Sequence, residues 1–149
     1  MKNKIRSNNF IYACERFYHD KVRNALIKDG WTITHDPYPL KLGQKDLFID
    51  LGAEKILAAE KGNDKIAVEI KSFVGRSVIN DAENALGQYL IYRRLLMKKE
   101  ADRVLFMAID KETLNDTLTD ELKELLTKDF EVKFLVFDKN EENILVWQS

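Results

Sequence analysis

The segment Arg103-Val104-Leu105-Phe106-Met107-Ala108-Ile109 is apolar at every position after its arginine. A run of this kind reads as a strand covered on both faces, the usual situation in a parallel sheet. Such a strand needs packing elements above and below it. Lys65-Ile66-Ala67-Val68-Glu69-Ile70-Lys71 alternates instead, with Ile66, Val68 and Ile70 on one side and Ala67, Glu69 and Lys71 on the other. Helical spacing appears in three places. Over 9–28, Tyr18, Val22, Ala25 and Leu26 form an apolar stripe that stops before Gly30. Over 78–99, Ile79, Ala82, Leu86, Tyr89, Leu90, Arg93 and Met97 trace one face. Over 119–128 a shorter helix starts at Thr119-Asp120-Glu121-Leu122.

Further strands are expected at 31–34, 46–51, 131–137 and 143–147, the last two joined by the turn-rich 138–142. Asp36-Pro37-Tyr38-Pro39 breaks the chain between the first two. Lys55 to Lys61 is rich in helix formers, but it is short and flanked by Gly52 and Gly62, and it reads as a strand. The order α, several β, α, β, α, β, β predicts an α/β fold, a mixed central sheet flanked by helices.

The chain has 149 residues, enough for one domain with a substantial core, and residues 1–8 are expected to be a flexible tail. It carries 24 Lys+Arg against 25 Asp+Glu, a formal net charge of −1. That balance argues against a generally adhesive nucleic-acid binder and confines any nucleic-acid contact to a local site. No apolar run approaches the ~18 residues of a membrane helix, and no apolar segment follows the basic start to make a secretory signal. The single cysteine, Cys14, excludes an internal disulfide framework and a Cys-based zinc site, and fits a reducing cytoplasm.

Chemistry is carried by the charges inside apolar strands. Glu69 and Lys71 share one sheet face, as do Asp46 and Asp50 on their own strand. A carboxylate and an ammonium near a core are costly unless paired or bound to a metal. Converging carboxylates suit Mg²⁺ or Mn²⁺, which can activate water and neutralise charge on a scissile phosphate. A nearby lysine would orient that water. The blander readings are a salt-bridge ladder on a solvated face for Glu69 and Lys71, and the polar side of an amphipathic strand for Asp46 and Asp50. His19 and His35 stand far apart in sequence, which favours hydrogen-bonded structural roles over metal ligation. Arg93-Arg94, Lys98-Lys99, Lys41 and Lys45 are candidates for phosphate contact, although cations late in a helix also complement its dipole. Ile144 to Trp147 reads as an edge strand, with Trp147 available to an oligomer contact.

Glu69-Ile70-Lys71, preceded by an Asp and an apolar strand and followed by a helix, resembles the PD-(D/E)xK nuclease superfamily. Gly43-Gln44-Lys45-Asp46-Leu47-Phe48-Ile49 is similar to its Gly-x-x-Asp strand, and Gln88 to Tyr92 to its Gln-x-x-x-Tyr helical motif. A longer, ordered similarity runs from Tyr18 to Gln148. His19-Asp20-Lys21-Val22, Ala25 to Pro37, Ile49 to Lys55, Ala67 to Phe73 and Ala85 to Tyr89 resemble the XisH family. Its members are described as controlling factors for excision of the fdxN DNA element in heterocyst-forming cyanobacteria, and often occur with XisI-family proteins.

The resemblance implies a restriction-endonuclease-like fold and Mg²⁺-dependent phosphodiester hydrolysis in DNA. Glu69 would be a metal ligand, Lys71 the catalytic lysine and Gln88 a residue directed at the metal site. The second acidic ligand stays open between Asp46, Asp50 and Glu60. Asp46 fits the Gly-x-x-Asp pattern, whereas an intervening strand at 56–61 would bring Asp50 nearer the row of Glu69. The superfamily often carries a Glu on its first helix, where this chain offers His19 and Asp20, with Glu15 a turn earlier. An alternative of another class is a non-catalytic accessory factor that binds DNA or a partner protein and licenses a site-specific recombinase. A third is a defence nuclease paired with a XisI-type protein. A homo-oligomer is compatible with each.

Overall fold

The structure is a computed structural model and describes residues 2–58 and 62–148, with side chains from residue 13 onward apart from 56–61. The first helix, α1, spans Lys2–Lys28, so it reaches back through the residues expected as a tail. It ends where Gly30 adopts φ 94°, a conformation that only glycine takes without cost. β1 (Thr32–His35) follows, and then the chain diverges from the sequence expectation. The Pro37–Pro39 stretch does not merely interrupt. It leads into a strand, β2 (Tyr38–Leu42), that pairs antiparallel with β3 (Lys45–Ile49) as a separate two-stranded ribbon. Pro39 is tolerated there because both ribbon strands are edges, so no ladder needs its missing N–H.

The single strand expected over 46–51 is broken at Asp50. β4 (Leu51–Ala58) starts immediately afterwards in the main sheet. The segment read as a strand from Lys55 is thus the second half of β4. It pairs directly with β5 (Gly62–Ile70), leaving no intervening strand between Asp50 and Glu69.

α2 (Val78–Lys99) has the expected bounds, and its first turn is capped by the Ser77 hydroxyl, which accepts from the Asn80 N–H at 3.2 Å. Its buried face is Ala82, Ala85, Tyr89 and Leu96, while Ile79 and Met97 are exposed. β6 (Arg103–Asp110), a short helix α3 (Asp120–Glu124) continued by a wider turn, β7 (Phe134–Asp138) and β8 (Asn143–Gln148) complete the chain. Thr119 caps α3 by accepting from the Leu122 N–H at 3.2 Å.

The main sheet has the order β1-β4-β5-β6-β7-β8. β5, β6 and β7 run parallel, and the remaining pairs are antiparallel. The parallel centre explains the uninterrupted apolar sequence of β6. Leu105, Met107 and Ile109 enter one core with Ala67, Phe134, Val136 and the α2 face, under the ribbon residues Tyr38, Leu40 and Ile49. Ala108 enters a second core with Ile66, Val68, Leu135, Phe137 and the α1 residues Val22 and Leu26. Each strand therefore feeds two cores with period 2, and each fully buried large apolar side chain contributes roughly 1.5–3 kcal/mol. Trp147 on the edge strand packs its ring on Phe106 and Trp31, with centroids 4.8 and 5.6 Å away. Among the described residues, no helix is long and apolar enough to cross a membrane.

Candidate active site

The alternation of β5 fixes where its charges go. Ile66, Val68 and Ile70 face α1, and Ala67, Glu69 and Lys71 face the α2 side. Glu69 is the last polar residue before the strand ends, and it is only 6 % exposed. A ladder on a solvated face is therefore not its environment. Asp50 immediately precedes β4, next to the pairing of Leu51 with Val68, and so lies opposite Glu69. Its Oδ2 accepts the Ile70 N–H at 2.7 Å, which holds the carboxylate at the end of β5. Lys71 Nζ lies 3.7 Å from Glu69 Oε1 and donates to Gln88 Oε1 on α2. Tyr92, one turn further along α2, is raised above the ordinary tyrosine range by burial and then by the negative charge of Glu69 and Asp50. The Gln-x-x-x-Tyr spacing thus puts Gln88 on Lys71 and Tyr92 within the field of the acidic pair.

Three of the expected site residues, together with Gln88, are assembled: Asp50, Glu69 and Lys71. Asp46 is not with them. It lies on the ribbon strand β3, 61 % exposed, paired with Lys41 at 3.3 Å in a separate groove beside Leu95, Lys98 and Lys99. The break at Asp50 is the physical reason, because it sends Asp46 into a different sheet. Glu60 falls outside the described residues.

Electrostatics mark the pair. Burial, reinforced by the adjacent Asp50 carboxylate and partly offset by Lys71, pushes the Glu69 carboxyl well above the usual carboxylate range. Glu69 Oε2 is buried and has no hydrogen-bond partner among the described residues. Two adjacent carboxylates with a buried, unused acceptor between strand ends are poorly satisfied by the protein alone. They suit a hard divalent cation, and Mg²⁺ commonly takes one or two protein carboxylates and completes its shell with water and phosphate. No group of three or more His, Cys, Asp or Glu with metal-binding geometry occurs among the described residues.

The site opens into a cleft of about 340 Å³ at the end of β5. Asp50, Glu69, Ile70, Lys71 and Ser72 form one wall, and Glu15, Arg16, Tyr18 and His19 of α1 form the other. The α1 contribution comes from the same stretch in which His19, Asp20 and Glu15 are singled out from the sequence. Glu15 and His19 line the cleft, whereas Asp20 does not. Arg16, Tyr18 and Ser72 were not legible in sequence, since nothing in their spacing distinguishes them from helix surface or loop. Phe73, just beyond the site, adopts φ 51°, an uncommon conformation for an aromatic residue.

The remaining cations divide. Arg93 is structural, because it donates to the Phe130 and Glu131 carbonyls at 3.0 and 3.1 Å and stacks over Tyr89. Lys99 donates to the Pro39 carbonyl. Arg94, Lys98 and Lys45 are exposed. His35 is structural, packed against Tyr38 with ring centroids 4.7 Å apart.

The fold and cleft define an α/β protein with a mixed six-stranded sheet and an Asp–Glu–Lys site at the end of its central strands. Its family follows from comparison. The family model described as XisH protein matches residues 13–145, and the chain belongs to that family. Two solved structures are similar over nearly their whole length. An XisH family protein from Nostoc punctiforme PCC 73102 shares 36 % identity, with 89 % of this chain and 99 % of that one covered, at a TM-score of 0.79. An fdxN element excision controlling factor protein from Anabaena variabilis shares 37 % identity, with 90 % and 99 % covered, also at 0.79. No curated protein matches the chain.

Proposed function

We propose that this XisH-family protein is a Mg²⁺- or Mn²⁺-dependent DNA endonuclease with a restriction-endonuclease-like fold, acting in excision of a DNA element. The observation that carries the reading is the buried Glu69 Oε2, without a hydrogen-bond partner among the described residues, beside Asp50, with Lys71 in the same cleft. Asp50 and Glu69 would hold the metal. When bound, the metal supplies Lewis-acid activation of water and charge neutralisation at the phosphate. Lys71 does the rest from the protein side. Its Nζ, held by Gln88, orients the attacking water and offsets charge that develops on the phosphate. The Anabaena variabilis neighbour, a factor controlling excision of an element, supports DNA as the substrate class. A XisI-like protein and a site-specific recombinase are the proposed partners.

One observation favours a second reading. The net charge of −1 is unusual for a protein that must enclose a polyanion, and it fits an accessory factor that licenses a separate recombinase. Calorimetric Mn²⁺ and Mg²⁺ titrations, run alongside cleavage of labelled duplex, branched and single-stranded DNA, separate the two. The nuclease reading expects wild type to bind metal and cut, Glu69→Ala to do neither, and Lys71→Ala to bind metal but lose cutting roughly 10²–10³-fold. Folded wild type that binds no metal and cuts no DNA, with and without a XisI-like partner, would leave the accessory reading standing.

A further inference from the structure

His19 lines the cleft on the wall opposite Lys71, and it is not a loose surface residue. Its Nε2 is 2.8 Å from Asp36 Oδ1, and the other carboxylate oxygen of Asp36 is held by Arg23 Nε at 3.2 Å. Asp36 lies in the connection between β1 and β2, so the imidazole is clamped between α1 and the ribbon. With Nε2 committed to Asp36, Nδ1 is the ring nitrogen available for proton transfer. An imidazole positioned by a carboxylate beside an acidic site is the arrangement of a proton donor or acceptor, with the carboxylate fixing which nitrogen reacts.

Displacement at phosphorus places the attacking and leaving oxygens roughly in line, at opposite ends of the reacting centre. Lys71 belongs to the β5 wall and is tied to α2 on one face of the sheet. His19 belongs to α1, on the other face. A group that orients water from the first wall therefore leaves the departing oxygen toward the second. A departing DNA alkoxide is a poor leaving group unless it is protonated.

We infer that His19 is the general acid of the proposed cleavage, delivering the proton on Nδ1 to the leaving 3′ oxygen, with Asp36 as its positioning residue. The inference rests on the nuclease reading. In the step, the water oxygen forms a bond to phosphorus, the bond from phosphorus to the 3′ oxygen breaks, and its electron pair takes the proton from the imidazolium. The proton lost by the water passes to solvent, and the neutral imidazole is reprotonated from solvent. Both nitrogens of an imidazolium donate, so Nδ1 can give up its proton while Nε2 remains on Asp36. Metal ligation is the competing role for a carboxylate-bound histidine. The absence of any three-residue ligand group among the described residues argues against it.

The test compares two linkages in whichever DNA form the wild type cuts. One is the natural phosphodiester. The other carries sulfur in place of the bridging 3′ oxygen, a leaving group that needs no proton. The variant is His19→Gln, whose side-chain amide can still donate to Asp36. The expected result is a loss of roughly 10²–10⁴-fold on the natural linkage and less than about tenfold on the sulfur linkage. Asp36→Asn should show the same preference with a smaller loss. Mn²⁺ affinity of His19→Gln, by calorimetry, should equal that of wild type. Equal losses on both linkages, weakened Mn²⁺ binding, or wild-type cutting of the natural linkage by His19→Gln would each overturn the assignment. Wild type that cuts neither linkage refutes the nuclease reading itself, a different and distinguishable failure.

Discussion

Because the Glu69 carboxyl is raised in the folded chain by burial, by Asp50 and against the pull of Lys71, its ionised form is better solvated in the unfolded chain. The sign follows. A carboxyl raised on folding contributes stability that is full below its unfolded value near 4.5 and lost as pH rises through the folded one. At neutral pH without metal, Glu69→Gln should therefore raise stability by about 1–3 kcal/mol, the range for a poorly satisfied buried polar group. Added Mn²⁺ should raise the melting temperature of wild type and leave that of Glu69→Gln unchanged. A variant less stable than wild type would mean that Lys71 compensates the charge after all. The two aspartates give a second test. Asp50→Asn keeps an oxygen for the Ile70 N–H but removes charge, and should abolish metal binding and cut cleavage at least roughly 10²-fold. Asp46→Asn changes an exposed pair with Lys41 and should leave both unchanged in the same titration and cleavage assays.

At the scale of elements, the break between β3 and β4 builds the site. The alternation of 46–51 predicts one strand, and the local pattern is right on both sides of the break. What ends it is Asp50, whose side chain takes the Ile70 N–H and lets the backbone leave the ribbon for the main sheet. At the opposite end of the sheet, Arg103 joins the elements that hold this arrangement. Its side chain is 1 % exposed and bonds Glu100 at 2.7 Å, Glu54 at 3.1 Å and the Ile66 carbonyl at 2.8 Å. Tyr38 of the ribbon donates to the same Glu100 at 2.7 Å. Arg103→Met should cost about 1.5–3 kcal/mol in urea unfolding, because Glu54, Glu100 and the Ile66 carbonyl each lose a buried charged donor, while Tyr38 still serves Glu100. The α2 face was only partly legible. The stripe ending at Met97 turns out to end at Leu96, because the helix is covered by both the sheet and the ribbon. The ribbon was not foreseen from the proline-rich stretch.

For the whole molecule, these groups set opposing limits on stability against pH. Glu100 is lowered to about 2, chiefly by its hydrogen bond to Arg103, and Asp138 to about 2 by Lys111 and two backbone N–H groups. Carboxyls lowered on folding contribute stability above their unfolded values and lose it as pH falls through the folded ones, here from about 4.5 toward 2. Glu69 acts in the reverse sense above 4.5. The metal-free protein should therefore be most stable on the acid side of neutrality, and saturating Mg²⁺ should move the maximum upward by binding only the folded, ionised site. Melting temperatures across pH, with and without Mg²⁺ and for Glu69→Gln, test this. A maximum at neutral pH in the metal-free wild type would contradict it.

The sequence by itself determined the pieces that depend on neighbours along the chain. The uniform apolarity of 104–109 marked a strand covered on both faces. The alternation of 65–71 put Glu69 and Lys71 on one face, and the spacing of Gln88 and Tyr92 aimed both from one helix at that face. Capping at Thr119 and the bounds of α2 were equally local. Only the tertiary structure decided which aspartate meets Glu69, because strand register between β4 and β5 depends on where the chain leaves the ribbon. It alone brought His19 and Asp36 together across α1 and the β1–β2 connection, and it alone buried Glu69 Oε2. Those are contacts between segments distant in sequence, and no periodicity within one segment records them.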